Sequence, residues 1–296
     1  MKTTSLVSIH GGHSGQFCLH ATDTLEDIVK RYIDKGYQWV GITEHIPPHN
    51  EDFYYPDQIA AAHNPEYLLD HFGKYIRECR RLQKKYKPQI EIFVALETET
   101  FSGYKEYIPF LINKFQPDYL VGSLHSVNNI GFDYSPQLYD RASRSVGGMD
   151  ALYCKYFDDQ HEMITILKPA VIGHFDLIRI HDPNYQERLN KPIIMARIAR
   201  NLQLIKKYDL IMDLNLRPLA KGGKEPYISR AILQMVHKLQ IPVVVGDDSH
   251  GLPTVGAGIK KGIALLEKLG FNTNWRKPKL FNYPTELSDN NTVDRP

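Results

Sequence analysis

Short apolar runs alternate along the chain with longer stretches in which apolar residues recur at helical spacing. Leu6–Ile9 is the first run of strand length. Asp23 then opens a helix. Glu26 follows three residues on, as in a capping box, and Leu25, Ile28, Val29, Tyr32 and Ile33 form one apolar face that Gly36 stops. The alternation continues to the end of the chain. Strands are predicted at Gln38–Thr43, Glu91–Leu96, Asp118–Leu124, Ala170–Gly173, Leu210–Leu214 and Pro242–Gly246. Helices are predicted at Pro65–Tyr86, Tyr104–Phe115, Met149–Leu167, Pro192–Tyr208, Ile228–Leu239 and Ala257–Leu269. Long loops follow the second strand (Ile46 to about Asn64) and the fourth. Repeated β/α units imply a parallel sheet. Strands as apolar as "VVV" at 243–245 suit a sheet covered on both faces. The expected architecture is α/β: a single-domain, distorted TIM-like (β/α)7 barrel over residues 1–270, then a polar, loosely held tail over 271–296. An open doubly wound sheet is the alternative, but no GxGxxG follows the first strand.

The polar residues just beyond each strand give the pattern its chemistry. His10, His13 and His20 follow the first strand, Glu44 and His45 the second, and Glu97 and Glu99 the third. His125 follows the fourth, His174 and Asp176 the fifth, Asp213 and Asn215 the sixth, and Asp247, Asp248 and His250 the seventh. In a barrel those ends converge on one mouth, where such folds place their chemistry. One histidine after a strand is an ordinary loop residue. Histidine or carboxylate after seven strands in succession points to metal.

Composition narrows the reading. The chain has 296 residues and 13 histidines, and seven of these lie at strand ends. His49, His63, His71, His161, His181 and His237 fall in helices or long loops and are expected at the surface. Lys and Arg number 36 against 34 Asp and Glu. This balance gives no general electrostatic case for nucleic acid or a membrane surface as partner, and the partner expected from the strand-end cluster is a small phosphorylated substrate. Cys18, Cys79 and Cys154 have no CxxC spacing and suit a reducing, cytoplasmic compartment, with Cys18 a buried packing residue. No apolar stretch is long enough to span a membrane.

Imidazoles with a few carboxylates and no usable thiolate suit Zn, Fe or Mn. The candidate ligands are His10, His13, His20, His45, Glu97, His125, His174, Asp248 and His250. One catalytic ion takes three or four protein ligands, so this set implies two to three divalent transition-metal ions, with Glu97 the natural bridge. Such ions outweigh the charge of Glu97 and Asp248, leaving a positive mouth suited to a phosphate ester. Clustered ions lower the pKa of bound water and clamp the oxygens of an in-line displacement. Catalysis is expected to rest on Glu97, Asp248 and His250. Arg179 and Arg217 lie where they could grip phosphate in a bidentate way. Glu99 and the loop residues Glu51, Asp52, Phe53, Tyr54 and Tyr55 are candidates to meet a cationic or aromatic substrate group.

The motifs "HGGHSGQFCLHA", "GITEH", "ALETE", "GSLHSV", "VIGHFDLIR" and "VVGDDSHGLPTVG" together resemble the PHP (polymerase and histidinol phosphatase) family, and most of all its histidinol-phosphate phosphatase branch. They span about 250 residues in family order. The resemblance implies a seven-stranded distorted barrel and a trinuclear site. His10, His13, Glu97 and Asp248 would hold one ion, Glu97, His125 and His174 a second, and His20, His45 and His250 a third. Glu44 stands where the family usually has Asp and is expected behind a ligand. The first motif is H-x-x-H where the family has H-x-H. In a regular strand this spacing turns the rings to opposite faces, and Gly11 and Gly12 would permit a bulge or turn that brings both inward. Of the two aspartates in "GDDSH", Asp248 is the expected ligand. The implied activity is metal-dependent hydrolysis of L-histidinol phosphate in histidine biosynthesis. The alternatives are a phosphoesterase acting on nucleotides or oligonucleotides and a non-catalytic metal-binding module.

Overall fold

The computed structural model describes residues 4–283. Seven parallel strands follow sequence order in one sheet. They are β1 (Leu6–Ser8), β2 (Tyr37–His45), β3 (Glu91–Glu97), β4 (Tyr119–Gly122), β5 (Val171–Ile172), β6 (Ile211–Asn215) and β7 (Val243–Gly246). The backbone just past β1 closes the ring: Ile9 N–H donates to Val245 O at 3.0 Å. The result is a nearly closed barrel, as the alternation predicts. Val243, Val244 and Val245 are buried between the interior and the helical layer, which is why β7 reads as a continuous apolar run.

The helices at Pro65–Tyr86, Tyr104–Phe115 and Met149–Leu167 keep their expected bounds. The first helix begins at Leu25, capped by Thr24, whose side chain accepts from Asp27 N–H. Asp23, expected as the cap, instead adopts a left-handed φ of 67° and accepts from Leu252 N–H at 2.8 Å. A loop contact from the last β/α unit thus displaces the cap by one residue.

The two long loops are partly ordered. The first contains a helical turn (Glu51–Phe53) and a short helix (Pro56–Ala60). The second contains a hairpin pairing Ser126–Val127 with Ile130–Gly131, then a helix at Pro136–Ser145 capped by Ser135. Asn128 and Asn129 both have left-handed φ, 50° and 58°, as a two-residue hairpin turn with the strands' own twist requires.

The tail is not loosely held as far as Tyr283. Trp275 Nε1–H donates to Ser5 O at 2.7 Å, Arg276 pairs with Asp209 at 2.6 Å, Phe281 N–H donates to Asp118 O at 2.8 Å, and Lys277 pairs with Glu91. These partners stand at or just before the starts of β1, β6, β4 and β3, so this segment straps the end of the barrel opposite the mouth. The remainder of the expected tail, 284–296, lies outside the described residues.

Candidate metal centre

Strand register brings the strand-end residues together. His45 pairs with Glu97 across β2 and β3, and five imidazoles surround the Glu97 carboxylate. Its Oε1 faces His174 Nε2 at 2.8 Å and His125 Nε2 at 3.3 Å. Its Oε2 faces His10 Nε2 at 3.2 Å, His45 Nδ1 at 3.3 Å and His13 Nε2 at 3.7 Å. The split of partners between two oxygens is what a carboxylate shared by two ions requires. Asp248 Oδ1 lies 3.4 Å from His13 Nε2 and 3.5 Å from His250 Nδ1. One donor atom each from His13, His45 and His250 lies within 4.8 Å of the others.

Both rings of H-x-x-H point inward and are fully buried. The glycines permit this by lacking a side chain, not by a special backbone conformation: neither is in the left-handed region. A Cβ on Gly11 would lie 2.3 Å from Gly41 O, and one on Gly12 would lie 2.7 Å from Ile28 Cγ2. The segment is wedged between β2 and β7. Gly11 N–H donates to Gly41 O at 2.8 Å and His13 N–H to Ser249 O at 2.7 Å.

Behind the imidazoles stands a row of carboxylates. His10 Nδ1 meets Asp213 at 3.0 Å, His13 Nδ1 meets Glu44 at 3.0 Å, His125 Nδ1 meets Glu99 at 2.9 Å, and His20 Nδ1 meets Asp57 at 3.1 Å. Such partners fix an imidazole's tautomer and leave Nε2 free as a ligand. His10 Nε2 and His13 Nε2 are buried without a hydrogen-bond partner, as is His45 Nδ1. Orphaned buried nitrogens of this kind are rare and ask for a missing partner. The donor set therefore fits a divalent-metal centre.

The PHP domain family matches residues 11–217. The chain belongs to the PHP family. The "probable histidinol-phosphatase" of Schizosaccharomyces pombe is 35% identical over 271 residues, covering 90% of this chain and 88% of that protein. The histidinol-phosphatase of Saccharomyces cerevisiae is 28% identical, covering 83% and 84%. Among solved structures, a candidate histidinol phosphatase from Listeria monocytogenes superposes with a TM-score of 0.76 at 24% identity, covering 86% of this chain and 99% of that one. The Lactococcus lactis histidinol phosphate phosphatase, solved with zinc, L-histidinol and phosphate, superposes at 0.66 with 19% identity, covering 90% and 94%. These two likenesses are of fold.

Charge at this PHP site is strongly coupled. Burial would raise the Glu97 carboxyl, but His10, His45 and His125 hold it well below the usual range. Asp248 is likewise held low against burial, by Arg217 and His10. Burial opposes protonation of His13, yet Glu44 and Asp248 raise it to about 9. Burial and the neighbouring His13 and Arg217 push His250 well down.

Several residues sit differently from expectation. Glu99 is not free to meet substrate: its oxygens are hydrogen-bonded by His125 at 2.9 Å and by the Tyr55 hydroxyl at 2.7 Å, with His45 Nδ1 close by at 3.2 Å but not hydrogen-bonded. Arg179 is buried, sandwiched between Tyr227 and Tyr185 with its guanidinium carbon 4.4 and 4.8 Å from the ring centres. Its Nε donates to Asp176 and its Nη2 to Pro226 O, so one nitrogen remains for a ligand rather than a fork. Arg217 places Nη1 on Asp248 O at 2.8 Å and against His250. Among the described residues its Nε and Nη2 make no hydrogen bond. His20 is at the rim, its side chain one-third exposed. Cys18 is buried as expected, but its sulfur lies within 4.8 Å of donor atoms of His20 and His250. Asp247 turns away and is tied by Ser8, Tyr32 and Gly256 N–H.

The mouth opens into a cavity of about 710 Å³ bordered by His45, His125, His174, Arg217, Asp248 and His250. Of the five loop candidates after β2, Tyr55 alone borders it. His181, expected at the surface, also borders it, with Nε2 buried and unpartnered. Asp57 and Asp133 were not among the expected residues. Asp57 is reached through the short helix in the first loop, and Asp133 through the Asn-Asn hairpin in the second.

Proposed function

We propose that this PHP-family chain hydrolyses L-histidinol phosphate to L-histidinol and inorganic phosphate, a step of histidine biosynthesis in the cytoplasm. The observation that carries the reading is the Glu97 carboxylate, each oxygen facing its own set of imidazoles at the base of the cavity. The names of the curated relatives give the substrate. His10, His13, Glu97 and Asp248 would hold one ion, Glu97, His125 and His174 a second, and His20, His45 and His250 a third, each zinc, iron or manganese. Ions held there supply Lewis-acid polarisation of the phosphoryl oxygens and a water-derived nucleophile at neutral pH.

The chain's own groups do the positioning. Asp213, Glu44, Glu99 and Asp57 keep the Nδ1 protons and aim the rings. Arg217 offers the two free nitrogens that a phosphate needs for a bidentate grip. Arg179 contributes one donor and the rigidity of its tyrosine sandwich. The test is kcat/KM for histidinol phosphate against p-nitrophenyl phosphate and AMP, with metal content measured alongside. A preference of about 10²-fold or more is expected, within what a site built on polar contacts can achieve. Equal turnover of the three, or a preference for AMP, would overturn the substrate assignment.

A further inference from the structure

Four acidic residues border the main cavity: Asp133, Asp182, Glu225 and Asp248. Three are committed. Asp248 belongs to the metal centre. Asp182 receives Arg188 Nε at 2.6 Å, the Tyr153 hydroxyl at 3.0 Å and Asn184 N–H at 2.9 Å. Glu225 receives Arg230 N–H at 3.0 Å and the Tyr185 hydroxyl. Asp133 differs: its Oδ1 is buried with no donor. The hairpin explains its place. The Asn128–Asn129 turn folds the chain back so that Phe132 N–H donates to His125 O at 3.0 Å. The next residue is then set beside a ligand of the metal centre.

We propose that Asp133 is the specificity residue that accepts the substrate's ammonium group. This rests on the histidinol phosphate reading. In that ester the ammonium stands on the second carbon from the ester oxygen. With the phosphate on the metal centre, its anchor must lie immediately beside the metal ligands. Asp133 is the carboxylate in that position with an oxygen to give. A buried carboxylate oxygen left unpaired is costly, and a site that holds one discriminates against a ligand unable to complete the pair.

The test compares L-histidinol phosphate with 3-(imidazol-4-yl)propyl phosphate, which lacks only the ammonium, on wild type and Asp133→Asn. The substitution is expected to raise KM for histidinol phosphate about 10- to 100-fold, the range for losing one charged hydrogen-bond partner, and to leave the des-amino ester unchanged. Inhibition by histidinol should weaken to match, while inhibition by inorganic phosphate and the metal content stay at wild-type values. Asp133→Ser serves if the asparagine variant does not fold. Equal losses on both esters, no loss on either, a fall in kcat at constant KM, or loss of metal would each overturn the anchor. Wild type that uses the two imidazole esters equally also overturns it, but leaves the phosphatase reading standing. Wild type with no preference for histidinol phosphate over p-nitrophenyl phosphate overturns the substrate reading itself, and the anchor with it.

Discussion

The two ends of the barrel are both rich in charge, and they handle it in opposite ways. At the end where the strands begin, charges are closed into pairs. Asp118 takes Arg80 at 2.7 Å, Gln83 at 3.1 Å and Val94 N–H at 2.7 Å, while Asp209 takes Arg276 and Glu91 takes Lys277. At the mouth, buried atoms are left without partners: His10 Nε2, His13 Nε2, His45 Nδ1, Asp213 Oδ1 and Asp133 Oδ1. Folding alone would not retain so many orphans, because each costs the free energy of an unmade hydrogen bond. The contrast separates an end arranged for stability from one arranged to receive what the chain does not supply.

The comparison can be broken at either end. The largest effect is expected from Glu97→Gln, which removes charge facing two groups of imidazoles at once. Metal content should fall, and kcat with it by at least about 10²-fold. Activity within a few-fold of wild type would place the bridge elsewhere, and His161→Gln, on an outer helix, is the silent control. Asp213→Asn acts chiefly on the orientation of His10, with smaller effects on Asn215 and the His174 backbone that share its Oδ2, so a loss of about 10- to 100-fold in metal affinity or activity is expected, measured by metal titration.

Next comes pH. His13 is raised from 6.5 to about 9 in the metal-free protein. Its stabilising contribution is present in full below pH 6.5 and is lost as pH rises through 9. Metal binds the unprotonated ring, so stabilisation by metal grows across the same window. Melting temperature of chelator-treated protein should therefore fall between pH 6.5 and 9, while that of metal-loaded protein stays nearly flat, because the ring is unprotonated both there and in the unfolded chain. Parallel slopes would detach the metals from this histidine. At the other end, deleting residues 272–296 should lower Tm by about 4 °C or more and leave kcat at 25 °C within about twofold. A large fall in kcat would show that the strap acts on the mouth. Smallest of all, Arg276→Ala should cost no more than about 1 kcal/mol by denaturant unfolding, since its pair with Asp209 is largely exposed.

The barrel was legible in the sequence because each strand is a short apolar run and each main helix carries a 3.6-residue stripe. The inner cluster of imidazoles around Glu97 was legible because parallel strands deliver their ends to one place. What escaped has a common cause, namely contacts between loops of different strands. Glu99 looks free on the page, since nothing local shows that His125, His45 and Tyr55 converge on it. Arg179 looks like a phosphate clamp until Tyr185 and Tyr227 close around it. The hairpin strands are too short to show alternation, although Asn128–Asn129 between "SV" and "IG" is itself a turn signal. Ser135-Pro136 likewise marks the start of the missed helix. The strap was hidden by its polarity, since it is held by hydrogen bonds and ion pairs as much as by apolar burial.

The seam between β1 and β7 joins chain segments more than 230 residues apart, and the candidate metal centre straddles it: His10 and His13 lie on one side, Asp248 and His250 on the other. A chain still being synthesised holds the first pair of donors but not the second. It cannot assemble the complete set until the last β/α unit has docked, so a full complement of ions at the proposed site would report a finished barrel. Closing so distant a pair is also the slowest kind of step in folding. A fully loaded centre would thereby distinguish complete molecules from truncated and half-folded copies.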